Sequence, residues 1–134
     1  MITAVDSSVL FEILKAAPKA ESAATALEHA ARQGSLCVCA PVVAELGRYF
    51  DNSEQLLEFF ADAQIEYSEI SLAASLEAAR MMNTYAKNKG IKARVTADFL
   101  IGAHALKHAN CLLTTDSGFF RDYFKGLKLV SPTN

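Results

Sequence analysis

Short β-branched or apolar runs alternate along this chain with stretches whose apolar residues recur at helical spacing, and that alternation most restricts the fold. Ile2 to Asp6 is the first such run, and Ser7-Ser8 then open an apolar-periodic stretch (Val9, Leu10, Ile13, Leu14) that Pro18 ends. Lys19 to Gln33 is alanine-rich and stops at Gly34, as a helix does. Ser35 to Ala40 reads as a second strand, and Pro41 starts a helix over Val42 to Phe50. Ser53 to Gln64 carries the apolar stripe Leu56, Leu57, Phe59 and Phe60. Ile65 to Ile70 alternates again, Ser71 caps a helix to about Lys89 closed by Gly90, and Thr96 caps another over Ala97 to Ala109. Cys111 to Thr115 is a buried strand, Asp116-Ser117-Gly118 a turn, Phe119 to Phe124 a helical turn and Leu127 to Val130 a last strand. Strands separated by helices pair in parallel, so the expected fold is α/β with a parallel sheet and helices on both faces.

A length of 134 residues is one domain, spanning 1–134. With 51% hydrophobic and 21% charged residues, a compact core is expected and disorder is not. No apolar run reaches bilayer length and the first residues lack a signal sequence, so no membrane partner and a cytoplasmic location are expected. Cys37, Cys39 and Cys111 are odd in number and sit in apolar contexts, which reads as reduced core cysteine. The net charge of −2 hides a split: Met1 to Thr84 holds 5 basic and 12 acidic residues, Tyr85 to Asn134 8 basic and 3 acidic. A polyanion therefore has to approach a surface drawn mainly from the C-terminal part.

Four carboxylates share a placement. Asp6 and Asp116 each end an apolar strand, where an open parallel sheet keeps its ligand crevice. Glu45 and Asp98 each lie among apolar neighbours near the start of a helix, which can return to the same sheet edge. Each has a plain alternative. Asp6 can cap a helix, Asp98 can complement a helix dipole, Asp116 can be a turn residue and Glu45 an amphipathic surface residue. Four converging carboxylates repel unless cations hold them, and the hard-cation solution is Mg²⁺ or Mn²⁺ bridging to a substrate phosphate. Such a site can activate water for attack on a phosphodiester.

In order along the chain, Val5-Asp6-Ser7-Ser8-Val9-Leu10, Pro41-Val42-Val43-Ala44-Glu45-Leu46, Ala97-Asp98-Phe99-Leu100-Ile101-Gly102-Ala103 and Leu113-Thr114-Thr115-Asp116 resemble the motifs of PIN-domain ribonucleases, specifically the VapC-type toxins of type II toxin–antitoxin pairs. The resemblance implies a three-layer α/β/α fold with a mostly parallel central sheet and a Mg²⁺- or Mn²⁺-dependent endoribonuclease. It makes Asp6, Glu45, Asp98 and Asp116 the acidic site, with Asp6, Asp98 and Asp116 as metal contacts and Glu45 as a water-mediated ligand or a base. Ser7 and Thr115 match positions where the family often has a hydroxyl near the metal or the scissile phosphate. Gly118 stands where many relatives carry a further acid, which leaves the number of ions open. The implied partners are a cognate antitoxin, an RNA substrate and a second copy of the chain, with dimer seams expected around Phe59-Phe60 or Leu72-Leu76.

Lys87, Lys89, Lys92 and Arg94 fall just ahead of Asp98 and are candidate RNA-backbone contacts, with a solvated helix end as the plain alternative. Arg121 and Lys125 are weaker candidates of the same kind. His104 and His108 have the i, i+4 spacing of a zinc pair but lack the intervening glutamate and a third ligand. Met81-Met82 and the phenylalanines read as core or interface, with Phe119-Phe120 as the pair to test for base stacking. The rival from another class is a non-catalytic PIN-like module that binds RNA or protein without cutting. A phospho-acceptor receiver domain ranks lower, because the expected acids after the first strand and a late-strand lysine are not found.

Overall fold

The computed structural model describes residues 1–88 and 94–132. Among them, five strands form one all-parallel sheet: β1 (Ile2–Val5), β2 (Ser35–Val38), β3 (Ile65–Tyr67), β4 (Cys111–Leu113) and β5 (Leu129–Val130). Its order is β3-β2-β1-β4-β5. Seven helices cover it: α1 (Ser7–Leu14), α2 (Ala20–Gln33), α3 (Ala40–Leu46), α4 (Ser53–Asp62), α5 (Leu72–Asn88), α6 (Thr96–His108) and α7 (Ser117–Tyr123). The result is the three-layer α/β/α architecture expected from the alternating pattern.

The chain lays β1, β2 and β3 outward in one direction, then returns to place β4 on the other side of β1. The strand order therefore reverses between β1 and β4, and the carboxyl ends of those two strands flank a crevice. The residues immediately after them are Asp6 and Thr114 to Asp116. The ladder is continued at this edge by the Asp6 amide, which donates to the Leu113 carbonyl at 2.9 Å.

Several boundaries differ from the sequence reading for local reasons. Helix α3 begins at Ala40, with Cys39 as its N-cap and Pro41 in its first turn, where a missing amide is harmless. It ends at Leu46 and tightens into a 3₁₀ turn over Gly47–Tyr49, so the helix does not reach Phe50. The N-cap of α6 is Val95 and Thr96 is already helical, so Thr96 does not cap it. Ser71 does cap α5, its hydroxyl accepting from the Ala74 amide at 3.1 Å. Gly90, expected to close α5, lies outside the described residues.

Helix α6 is buried on nearly every side, through Phe99, Ile101, Gly102, Ala103, His104 and Ala105. It packs on α5, α3 and β4, which is why it lacks a polar face to match its apolar one. At Gly102 the Phe124 ring lies so close that a Cβ would stand 2.6 Å from Cε2. Gly102→Ala is expected to cost about 1–3 kcal/mol, read as a lower urea midpoint with an unchanged slope.

Three features take their structural readings. Cys37, Cys39 and Cys111 are free and buried, and burial pushes the Cys37 and Cys39 thiols up to about 11 and about 12. His104 and His108 turn their Nε2 atoms to the hydroxyls of Ser68 (2.8 Å) and Ser71 (2.7 Å), tying α6 to the β3–α5 connection. Burial, with the neighbouring His108, lowers His104 to about 4, so it is neutral at pH 7. Phe60 is buried in the core and Phe59 packs against it and Phe50, so that pair is not an open seam. Leu72 and Leu76 do stand on the surface.

Candidate metal centre at the carboxyl edge of the sheet

Asp6 comes directly after a strand whose last three residues are buried, so its side chain is carried into the protein and is only 6% exposed. It occupies the N-cap position of α1, yet its carboxylate makes no capping hydrogen bond. Instead Oδ2 accepts from the Ser8 hydroxyl at 2.8 Å and the Thr114 hydroxyl at 2.7 Å. No other donor among the described residues reaches this carboxylate, so one oxygen is pinned and the other is available to a ligand. The two hydroxyls are themselves fixed by backbone amides, Thr115 donating to Ser8 at 3.1 Å and Asp116 to Thr114 at 2.9 Å. Burial raises the Asp6 carboxyl above the usual range, the two hydroxyl donors oppose the shift, and the charges of Asp98 and Glu45 add to it.

The other acids come from separate elements. Glu45, half-buried on α3, accepts from the Ser7 hydroxyl at 2.5 Å. Asp98, in the first turn of α6, is raised chiefly by burial and also by the charges of Glu45 and Asp116, with Arg94 opposing. Asp116 is the N-cap residue of α7 but, like Asp6, leaves the capping position unused. Its Oδ2 takes the Arg94 guanidinium at 2.6 Å, while the same nitrogen stands 3.7 Å from Asp98. Asp6, Glu45 and Asp98 thus lie within one another's fields, and Asp98 also within that of Asp116.

The donor set suits a hard cation, being carboxylate oxygen throughout. Among the described residues no three His, Cys, Asp or Glu side chains are already arranged around one point as metal ligands. One cation, Arg94, is present between two of the acids.

The remaining expected residues fall in different places. Ser7 supports Glu45, whereas the Thr115 side chain is exposed and its neighbour Thr114 reaches inward to Asp6. Lys87 is exposed near the end of α5, and Lys89 and Lys92 lie outside the described residues. Arg94 sits inside the acid cluster rather than at its rim. Phe119 and Phe120 are buried beneath the site, so they are not an exposed stacking pair. Arg121 is exposed and 3.6 Å from Asp122.

The PIN domain family profile matches residues 3–125. The chain belongs to the PIN-domain family. This PIN domain is similar in structure to VapBC2 from Rickettsia felis, solved bound to a DNA fragment from their promoter, with 23% identity, a TM-score of 0.73 and 98% of each chain covered. It is also similar to VapBC-1 from nontypeable Haemophilus influenzae, with 21% identity, a TM-score of 0.74 and 100% of each chain covered. FitAcB from Neisseria gonorrhoeae gives 23% identity, a TM-score of 0.67 and 98% coverage of each chain. No curated protein matches the sequence.

Ser8 and Thr114 are the polar residues of this PIN domain's site that the sequence motifs do not single out. Each belongs to a hydroxyl doublet, Ser7-Ser8 and Thr114-Thr115, and the sequence alone does not say which member meets Asp6. A signal for Thr114 is present in the strand pattern, since it comes after an apolar run and is fully buried.

Proposed function

We propose that this PIN domain is a metal-dependent endoribonuclease and the VapC-type toxin of a toxin–antitoxin pair, hydrolysing RNA phosphodiesters with Mg²⁺ or Mn²⁺. The observation that carries the reading is the meeting of four carboxylates from β1, α3, α6 and the β4–α7 connection at the strand-order reversal. Asp6 and Asp98, whose proton affinity is raised by burial and by neighbouring acids, are poised to take a cation, because a cation removes the repulsion.

Asp6, Asp98 and Asp116 are the residues to hold the ion, Asp6 through the oxygen its two hydroxyl partners leave available. When bound, the ion supplies positive charge to the phosphodiester and to the attacking water. Glu45, held by Ser7 through one oxygen, has the other to orient that water and accept its proton. Water adds to phosphorus, the bond from phosphorus to one ribose oxygen breaks, and that oxygen leaves with a proton. Ser8 and Thr114 keep Asp6 from rotating. The basic residues Lys87, Lys89, Lys92 and Arg94 supply contacts to the phosphate backbone.

The structural neighbours were solved as VapBC and FitAB pairs, which supports a cognate antitoxin as partner. A basic antitoxin side chain entering the acid cluster would compete with the metal. A homodimer is part of the same reading, with exposed Leu72 and Leu76 on α5 as its candidate seam.

The test is cleavage of a mixed RNA pool by antitoxin-free protein in Mn²⁺, in Mg²⁺ and in EDTA. Cleavage is expected with either ion and is expected to fall to background in EDTA. Saturable RNA binding without cleavage in any ion would overturn the enzyme reading and favour the non-catalytic module.

A further inference from the structure

Arg94 lies in the α5–α6 connection, two residues ahead of α6, and its guanidinium is committed on three sides. It is 2.6 Å from Asp116, 3.7 Å from Asp98, and 4.3 Å from the centre of the Phe119 ring. Phe119 is in turn fixed by edge contacts with Phe99, Phe120 and Tyr85, so the surface under the guanidinium is rigid. A planar, delocalised cation suits this slot, since it can lie flat on a ring and offer nitrogens to acids at its edge. The neighbouring acids explain the placement. Asp116 forgoes its own helix cap, and Asp98 and Asp116 repel each other across the site.

We infer that Arg94 is an internal counter-ion that holds the Asp98–Asp116 side of the site in the ion-free protein, and that a divalent cation must displace it to bind. This inference rests on the metal reading of the site and adds a step to it. The guanidinium stands between Asp98 and Asp116 against Oδ2 of Asp116, where a metal shared by these two acids would sit. The two cations therefore exclude each other at that oxygen, and the apparent metal affinity is reduced by the fraction of molecules in which Arg94 is docked. Once displaced, the guanidinium remains tethered beside the acids, where an incoming phosphodiester brings the negative charge it has lost.

The experiment is calorimetric titration of Mn²⁺ into metal-stripped, antitoxin-free protein as wild type, Arg94→Met, Arg94→Gln and Lys107→Met. Arg94 is partly exposed, so its substitutions do not disturb the core. Both Arg94 variants are expected to bind Mn²⁺ about three- to tenfold more tightly than wild type. Lys107→Met removes one charge from an exposed position in the last turn of α6 and is expected to change affinity by less than half that factor. A second readout is direct. In protein carrying ¹⁵N-arginine, the Nη–H signal missing from Arg94→Gln is expected to be protected from exchange without metal, because Nη1 is the nitrogen docked on Asp116, and to lose that protection as diamagnetic Mg²⁺ saturates.

Equal affinities in wild type and both Arg94 variants, an equal gain in Lys107→Met, or an Arg94 signal unmoved at saturation would each overturn the inference while leaving the metal site standing. Mn²⁺ binding by none of the proteins would overturn the metal reading itself, and the inference with it. Binding by the Arg94 variants alone would support both.

Discussion

Asp6→Asn is expected to lower RNA cleavage on the order of 10²–10³-fold while raising the thermal midpoint of the metal-free protein by a few degrees. The two effects share one cause. A carboxylate that is 6% exposed and faces Asp98 and Glu45 is held at the cost of stability, and burial lifts its proton affinity above that of the unfolded chain. Because the folded value is the higher one, the native state binds the proton more readily. Stability therefore falls as pH rises from about 4 through the folded value and stays reduced above it. Asparagine keeps an oxygen to accept from Ser8 and Thr114 but carries no charge. Its advantage is accordingly expected at pH 7 to 8, to shrink as pH falls through the folded value, and to be gone below about pH 4. Thermal melts of metal-stripped wild type and variant across that range, beside a cleavage assay in Mn²⁺, check both halves. Full activity in the variant would remove Asp6 from the reaction, and a lower midpoint at neutral pH would contradict the electrostatic account.

Phe99→Ala is expected to be the most damaging single substitution near the site, at about 3–5 kcal/mol. Phe99 is 1% exposed and comes directly after Asp98 on α6. Its ring meets Tyr85 at 5.5 Å and Phe119 at 5.2 Å, both edge-on. Emptying that position removes the partner that steadies Phe119, and with it the platform under Arg94. For a chain of this size the loss corresponds to a drop on the order of 10–20 °C in the thermal midpoint. Urea denaturation checks the energy directly. Leu72→Ala, at a residue 75% exposed, is the control and is expected to change stability by less than about 0.5 kcal/mol in the isolated chain. A loss of similar size in both would show that this aromatic group is not the support described.

The fold is readable because its main signals are local. β-branched and apolar runs of strand length, broken by capped or alanine-rich helical segments, allow parallel pairing and little else, and the five strands fall where those runs are. Boundaries are less legible where one residue serves two elements. Cys39 continues an alternating strand pattern by composition, but it caps α3, because Pro41 fits only the first turn of a helix. Phe59-Phe60 read equally well as surface seam or core, and only the packing of α4 against β3 and its neighbours separates the two.

By itself the sequence determined the α/β class and the family, because short motifs in fixed order carry that information, and it singled out four acids as candidates. Tertiary structure alone decided how those acids are held. Ser8 and Thr114, not Thr115, support Asp6, since the strand pleat and the start of α1 choose which hydroxyl of each doublet meets that carboxylate. Arg94 reads in sequence as one of four rim cations, yet it lies between Asp98 and Asp116 on the face of Phe119. The physical reason is distance along the chain: Arg94 and Asp116 are 22 residues apart, and only the return of β4 beside β1 and the packing of α7 bring them to 2.6 Å.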